Sequence, residues 1–217
     1  IDAGPDKSVL SCLGKYMPFW DRKIELAFLS HPNRDHYNGY FFVADRYQID
    51  RFITVNSPIA SKTYKKLLQK ISNKKIKIEE AFAGKIIPAV QPRRLDEAKF
   101  VIFWPPKNFM SNNDNDFSSV ILFNGVLFTG DASPFVLGRL SHGAIKKINV
   151  LKIPHHGSKN GLTKKFLDLA DPTTAVISAG KNNFYGHPSK EVLDMLKAKD
   201  VKIKRTDKIG DVVFKIN

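Results

Sequence analysis

Five of the six histidines fall in three short segments: His31 and His36, His155 and His156, and His187. Each segment follows a run of apolar residues, whereas His142 stands apart. Asp35 sits beside His36, and Asp131 closes Thr129-Gly130-Asp131 after another apolar run. Imidazole nitrogen and carboxylate oxygen together suit a divalent cation, and loops at several strand ends can bring such donors into one small volume. The single cysteine, Cys12, allows neither a thiolate cluster nor an intrachain disulfide. The chemistry open to this donor set is cation-assisted hydrolysis. A competing reading gives each residue a local duty: Asp35 caps a helix starting near Asn38, Asp131 caps one starting near Pro134, and the histidines merely occupy turns. That reading explains any one segment and explains all of them together poorly.

The segments need strands to carry them. Residues 25–30 form a short apolar run that stops abruptly at His31-Pro32-Asn33, which places the chemistry at a strand end. Residues 51–55 predict a second strand, and Tyr64, Leu67, Leu68 and Ile71 recur at helical spacing. Strands follow over 76–78 and 99–104. Residues 118–129 predict a hairpin, because Asn124-Gly125, favoured in a type I′ turn, separates Val120-Ile121-Leu122-Phe123 from Val126-Leu127-Phe128. That hairpin delivers Asp131. The pattern continues with a helix over 134–140, a strand over 149–153, a helix over 162–169, a strand over 175–178, a helix over 188–198, and closing strands over 201–204 and 211–216. Such mixing predicts a layered α/β fold. No repeat, low-complexity tract or Gly/Ser linker divides residues 1–217, which read as one domain with Trp20 and Trp104 in its core.

With 42% hydrophobic and 26% charged positions among 217 residues, the chain can bury a full core and is not of the disordered class. No stretch approaches the roughly eighteen consecutive apolar residues of a membrane helix, and the start does not read as a targeting segment. The opening Ile1-Asp2-Ala3-Gly4-Pro5 reads as a strand running into a turn, which predicts a fragment of something longer. Thirty-five Lys and Arg against twenty-one Asp and Glu give a net charge of +14. Such a field favours polyanions, nucleic acid above all. Lys62, Lys65, Lys66, Lys70, Lys74 and Lys75 form one basic cluster; Lys197, Lys199, Lys202, Lys204, Arg205 and Lys208 form another. The first is also what the solvated face of an amphipathic helix looks like.

The motif residues carry a resemblance. His31-Pro32-Asn33-Arg34-Asp35-His36 is similar to the H-x-H-x-D-H signature of the metallo-β-lactamase superfamily, and Thr129-Gly130-Asp131 resembles its bridging-aspartate motif. Together with Pro154-His155-His156-Gly157-Ser158-Lys159 and Tyr185-Gly186-His187-Pro188, these residues resemble the lactamase-like domain of ComEC-type DNA-uptake proteins, over nearly the whole chain. The resemblance implies an α/β, four-layer αββα sandwich with a metal centre at one edge. It also implies leading strands with a glycine-rich turn that would precede Ile1. Carried over residue by residue, it implies up to two divalent ions, manganese or zinc. His31, Asn33 and Asn115 would hold one, Asp35, His36 and His187 the other, and Asp131 would bridge. Asn33 departs from the pattern, since histidine or aspartate is usual there; a neutral amide oxygen makes the first position the weaker.

What the resemblance implies is a metal-dependent nuclease of a DNA-uptake protein, with a membrane channel domain of the same parent as partner, an extracytoplasmic position and no nucleotide cofactor. Asp35 would orient the attacking water, and His155 or His156 would assist the leaving oxygen. Ser158 and Lys159 could hold phosphate, although a plain helix-initiating turn explains them as well. Asn183 and Tyr185 lie in Asn182-Asn183-Phe184-Tyr185, whose rings could stack on bases of a single strand; Phe184 fits a core position equally. A small-molecule hydrolase, or a DNA-binding module with a degraded metal site, are the alternatives. Nucleic-acid affinity is expected to fall steeply with rising salt and to show little sequence preference. Anisotropy titrations at stepped ionic strength measure the slope. The triple change Lys62→Glu, Lys66→Glu and Lys70→Glu probes one cluster; Lys202→Glu, Lys204→Glu and Arg205→Glu probe the other. Salt-insensitive binding, or binding untouched by both sets, would contradict the polyanion reading.

Overall fold

Parallel strands must be joined by crossovers, and the first part of the chain alternates accordingly. A computed structural model describes residues 1–89, 98–140, 145 and 148–214. Its first elements are α1 (Ser8–Tyr16), β1 (Lys23–Leu29), α2 (Arg34–Tyr37), α3 (Tyr40–Arg46), β2 (Gln48–Thr54), α4 (Lys62–Asn73) and β3 (Lys77–Glu80). Strands β1, β2 and β3 form a parallel three-stranded sheet in that order. Helix α4 starts at Ser61, whose hydroxyl accepts the Tyr64 N–H at 3.2 Å. Its apolar stripe of Tyr64, Leu67 and Ile71 is buried, as the spacing predicts. On its polar side Lys70 and Lys74 pair with Asp45 at 2.6 and 3.5 Å, so two of the lysines in that cluster already have a carboxylate partner.

The second part comprises β4 (Ile86–Pro88), β5 (Lys99–Trp104), β6 (Val120–Phe123), β7 (Val126–Phe128), α5 (Pro134–Leu137), β8 (Val150–Lys152), α6 (Lys164–Ala170), β9 (Thr174–Ile177), α7 (Lys190–Lys197), β10 (Lys202–Arg205) and α8 (Thr206–Ile209). These strands make a seven-stranded sheet ordered β10-β9-β8-β7-β6-β5-β4. Neighbours from β4 to β7 are antiparallel and neighbours from β7 to β10 parallel. The β6–β7 turn has Asn124 and Gly125 at φ 45° and 75°, the positive values a type I′ turn requires.

Three apolar layers separate four structural ones. Tyr40, Val43, Leu67 and Ile71 pack the helices on the three-stranded sheet. Phe28, Ile53, Ile102, Phe117 and Ile121 fill the space between the sheets. Val136, Leu151, Phe166, Ala175, Val192 and Leu196 join the seven-stranded sheet to α5, α6 and α7. This is the αββα sandwich that the motifs imply. The C-terminal ends of the parallel strands β7, β8 and β9 share one edge of the sheet, the usual place for a site in such layered folds.

Several expectations change. Trp20 is 72% exposed rather than buried, on the stretch that joins α1 to β1. Helix α1 escapes the hydrophobic pattern because none of its residues is fully buried; Val9, Leu10 and Leu13 only lean on the first core layer. Residues 211–214 form no strand, and Asp211 instead accepts from Lys15 Nζ and Tyr16 OH at 2.6 and 2.8 Å. Residues 215–217, the end of the expected closing strand, and His142 lie outside the described residues. Ser133, not Asp131, caps α5, and Asp131 is thereby free for another role.

Gly39 shows how tightly the first residues are held. Its N–H donates to Gly4 O at 2.9 Å, and a Cβ there would lie 2.0 Å from Ala3 O. Backbone cannot yield as a flexible side chain can, so Gly39→Ala is expected to destabilise the fold by about 1–3 kcal/mol. Urea denaturation measures it. An unchanged midpoint would show that residues 1–4 are not packed as described.

Candidate metal centre

The strand β1 ends at Leu29, and a tight turn beginning at Ser30 leads into the four-residue helix α2. Asp2 runs alongside, its N–H donating to Phe28 O at 2.8 Å. The Asp2 carboxylate accepts from Ser30 N at 2.7 Å, Ser30 Oγ at 2.9 Å and His36 Nδ1 at 2.9 Å. A carboxylate can only accept, so His36 carries a proton on Nδ1. Ser30 Oγ has one proton, given to Asp2, and at 3.0 Å it accepts from His31 Nδ1. Both imidazoles are thus locked with Nε2 pointing away from their anchors.

The other strand ends arrive by close backbone approach. Gly130 has φ 49°, and a Cβ on it would strike Ser30 Cβ at 2.9 Å and Ser118 Cβ at 3.1 Å. Glycine therefore brings the end of β7 against the end of β1. Next to it, the Asp131 N–H donates to Ser118 Oγ at 3.0 Å. Lys152, last residue of β8, donates Nζ to Gly130 O at 2.7 Å and stands 3.7 Å from Asp131 Oδ1. After β8, His155, His156 and Gly157 take φ of 49°, 53° and 83° in succession. Left-handed backbone costs the two histidines of order 1–3 kcal/mol each, a strain that clusters at functional sites. Within this turn His156 Nδ1 lies 2.8 Å from Ser178 O; since a carbonyl only accepts, Nε2 of His156 is again the free nitrogen.

Four groups then meet. His36 Nε2 lies 3.3 Å from Asp131 Oδ1 and 3.6 Å from Asp35 Oδ2. His156 Nε2 lies 3.4 Å from Asp35 Oδ2 and 3.5 Å from Asp131 Oδ2. Ligand atoms of Asp35, His36, Asp131 and His156 all fall within 4.8 Å of one another. The His31 and His36 rings are 4.2 Å apart, and the His155 and His187 rings 6.0 Å. A cavity of about 580 Å³ opens above them, lined by Asn33, Arg34, Asp35, Asn115, Asp131, His155, His156, Tyr185 and His187. His31 Nε2, His36 Nε2, His156 Nε2 and Asp131 Oδ1 are buried with no hydrogen-bond partner. Each such atom costs about 1–3 kcal/mol unless something satisfies it. Three imidazole nitrogens and a carboxylate oxygen are what a divalent cation takes, once the proton on His36 Nε2 has left, so the residues fit such an ion.

The charges are arranged to the same end. Burial alone would lower His36, but Asp2 and Asp131 raise it to about 10. Burial, with the charge on His36, lowers His31 to about 3. Asp131 is buried, yet the His36 ring 3.3 Å away and the Lys152 charge hold its carboxyl well below the usual range. Burial and neighbouring His156 lower His155; burial, His155 and His156 lower His187.

Not every expected residue behaves as expected. His156 stands among the four clustered donors, while His187 lines the cavity beside His155. Asn33 Nδ2 donates to Asn115 Oδ1 at 3.1 Å, so the two amides meant for the first ion partly satisfy each other. Ser158 is buried, its Oγ accepting the Asn160 N–H at 3.2 Å as part of the turn before α6, and it does not line the cavity. Lys159 is exposed outside that lining. Asn183 spends its amide on its own loop, donating to Gly180 O and His187 O and accepting the His187 N–H. Two residues were not anticipated. Lys152 had a signal, a lone charge ending an apolar strand just before Pro154-His155-His156; Asp2 had little, being a single carboxylate at a presumed strand end.

No protein-family model matches the chain. Over 203 residues, 89% of its length, it is 26% identical to the ComE operon protein 3 of Bacillus subtilis (strain 168). It spans 25% of that relative's length. Over 65 residues, 30% of its length, it is 38% identical to the Competence protein ComA of Neisseria gonorrhoeae and covers 9% of it. A mutant of the CmlA beta-hydroxylase matches 85% of this chain and 43% of its own at TM-score 0.57 and 14% identity, a likeness of fold alone.

Because His36 keeps its proton to about pH 10 in the ion-free protein, a cation binding at Nε2 must displace it. Affinity should therefore rise with pH, by roughly tenfold per unit for one proton released. Asp2→Asn replaces the charged carboxylate that orients His36 with a neutral amide and should weaken metal binding about 10–100-fold. Calorimetry in buffers of different ionisation enthalpy reads proton release and affinity together. Affinity independent of pH, or an Asp2→Asn protein that binds as the parent does, would contradict this arrangement.

Proposed function

We propose that this chain, similar to competence proteins and carrying motifs that resemble those of the metallo-β-lactamase superfamily, is a metal-dependent phosphodiesterase acting on DNA. The observation that carries the reading is the set of buried, unpartnered donors at the floor of an open cavity: His31 Nε2, His36 Nε2, His156 Nε2 and Asp131 Oδ1. His36, His156, Asp131 and Asp35 would hold the tighter ion, manganese or zinc; His31 with Asn33 and Asn115 would hold a second, weaker one. When bound, a divalent cation supplies the charge that polarises a phosphoryl oxygen and makes water a usable nucleophile near neutral pH.

The protein's own groups supply the rest. Asp35, with its side chain 54% exposed at the mouth, reaches the substrate side and can accept the proton of an attacking water. Asp131 stays ionised at the floor, with Lys152 balancing its charge from behind. Arg34, exposed on the rim, offers a cation to a phosphate. His156 is tied at Nδ1 by Ser178, and His155, beside His187 in the cavity lining, is available to substrate. With its pKa lowered, His155 is neutral at pH 7 and presents one N–H and one lone pair, suited to orienting a phosphate rather than delivering a proton as a cation. The net charge of +14 favours a long polyanion over a small neutral substrate.

No helix among the described residues is long and apolar enough to cross a membrane. The chain spans about a quarter of its Bacillus relative, and we place it as an extracytoplasmic domain of a parent that also carries a membrane channel domain. Incubation of manganese- or zinc-replenished protein with labelled single- and double-stranded DNA tests the activity. Cleavage that chelator abolishes and added metal restores is expected, with Asp131→Asn lowering the rate at least about 100-fold. Cleavage indifferent to chelator, or none with any DNA, would overturn the reading.

A further inference from the structure

Phe184 is wholly exposed, at 104% of its reference area, and Tyr185 is 84% exposed. Large aromatic rings are seldom left bare without a use, and a floppy tip would be the plain explanation. The loop is not built as a floppy tip. The Asn183 amide donates to Gly180 O at 2.9 Å and to His187 O at 2.8 Å, while the His187 N–H donates to Asn183 Oδ1 at 2.9 Å. One side chain thus closes the loop across its neck and holds Phe184 and Tyr185 outward. The Tyr185 ring stacks on the His187 imidazole, centroids 5.9 Å apart and planes at 18°, and both line the cavity that contains Asp131. Phe19 and Trp20, the other bare aromatic pair, cover each other edge to face and do not line that cavity.

We propose that the loop over residues 180–187 is a stacking platform for unpaired bases, so that the cavity takes single-stranded nucleic acid or a strand end rather than the interior of a duplex. The placement next to the metal centre rests on the phosphodiesterase reading. In a duplex both faces of each base are covered by its neighbours, whereas an unpaired base offers a free face to an aromatic ring. Phe184 receives one such base. Tyr185, already backed by His187, takes the next position inward and leaves the intervening phosphodiester beside the clustered carboxylates and imidazoles. Lys181, exposed on the same loop, can follow the backbone.

Anisotropy with a short fluorescein-labelled oligonucleotide tests this, in chelator so that no cleavage intrudes. The parent should bind the single strand more tightly than the matching duplex. Phe184→Ala should weaken single-strand binding about tenfold or more, leave duplex binding within about twofold, and lose the discrimination between a normal and an abasic strand. Phe184→Trp should restore the affinity. Phe184→Ala binding single strands as the parent does, losing both forms equally, or an abasic strand bound as tightly as a normal one, overturns the platform. A parallel cleavage assay with manganese separates the two claims. Chelator-sensitive cleavage with an unaffected Phe184→Ala sinks the platform alone; base-dependent binding lost in Phe184→Ala, with no cleavage of any strand, supports the platform and sinks the phosphodiesterase.

Discussion

Three imidazole nitrogens at the floor of the centre point inward because the other nitrogen of the same ring is occupied. Asp2 takes Nδ1 of His36, Ser30 takes Nδ1 of His31, and the Ser178 carbonyl takes Nδ1 of His156. Reversing any one ring would bury an N–H where a lone pair is wanted. A buried polar atom left without a partner costs about 1–3 kcal/mol, a sizeable share of the stability of an ordinary domain. A fold that tolerates this has a cation as its answer, and the low Asp131 and high His36 pKa values express the same pull between unlike charges.

The rest of the sandwich holds these anchors in register. Asp2 reaches Ser30 and His36 because residues 1–4 lie against β1 and against Gly39, where no side chain would fit. The β7 end meets the β1 end through Gly130, and the His155-His156-Gly157 turn meets the His187 loop through Gly157, where a Cβ would lie 2.6 Å from Pro188 Cβ. Both contacts bridge elements far apart in sequence; the first sets Asp131 beside His36, and the second sets His155 beside His187. The left-handed conformations of His155 and His156 are sustained by these long-range contacts rather than by local preference.

Much of this was legible in the sequence. The apolar runs before His31, Asp131 and His155 located β1, β7 and β8, and Asn124-Gly125 located the hairpin. The four-layer fold followed from the motifs rather than from periodicity. Tertiary information was missing. Nothing local distinguishes His156 from His155, since their roles divide only when Ser178 accepts from one of them. Asp2 gains meaning only when β1 runs beside it. Phe184 could be core or surface until Asn183 closed its loop, and Trp20 reads as core by residue type while the chain leaves it outside.

The central claim is that the anchored imidazoles of His36 and His156, with Asp131 and Asp35, surround one cation. Crystals grown with zinc, with diffraction recorded on either side of its absorption edge, test this most directly. The account predicts an anomalous peak at about 2.0–2.2 Å from Nε2 of His36, Nε2 of His156 and a carboxylate oxygen of Asp131, with Nδ1 of each ring still on its anchor. A peak elsewhere in the molecule and none in this cavity, or rings turned so that Nδ1 faces the ion, would contradict it.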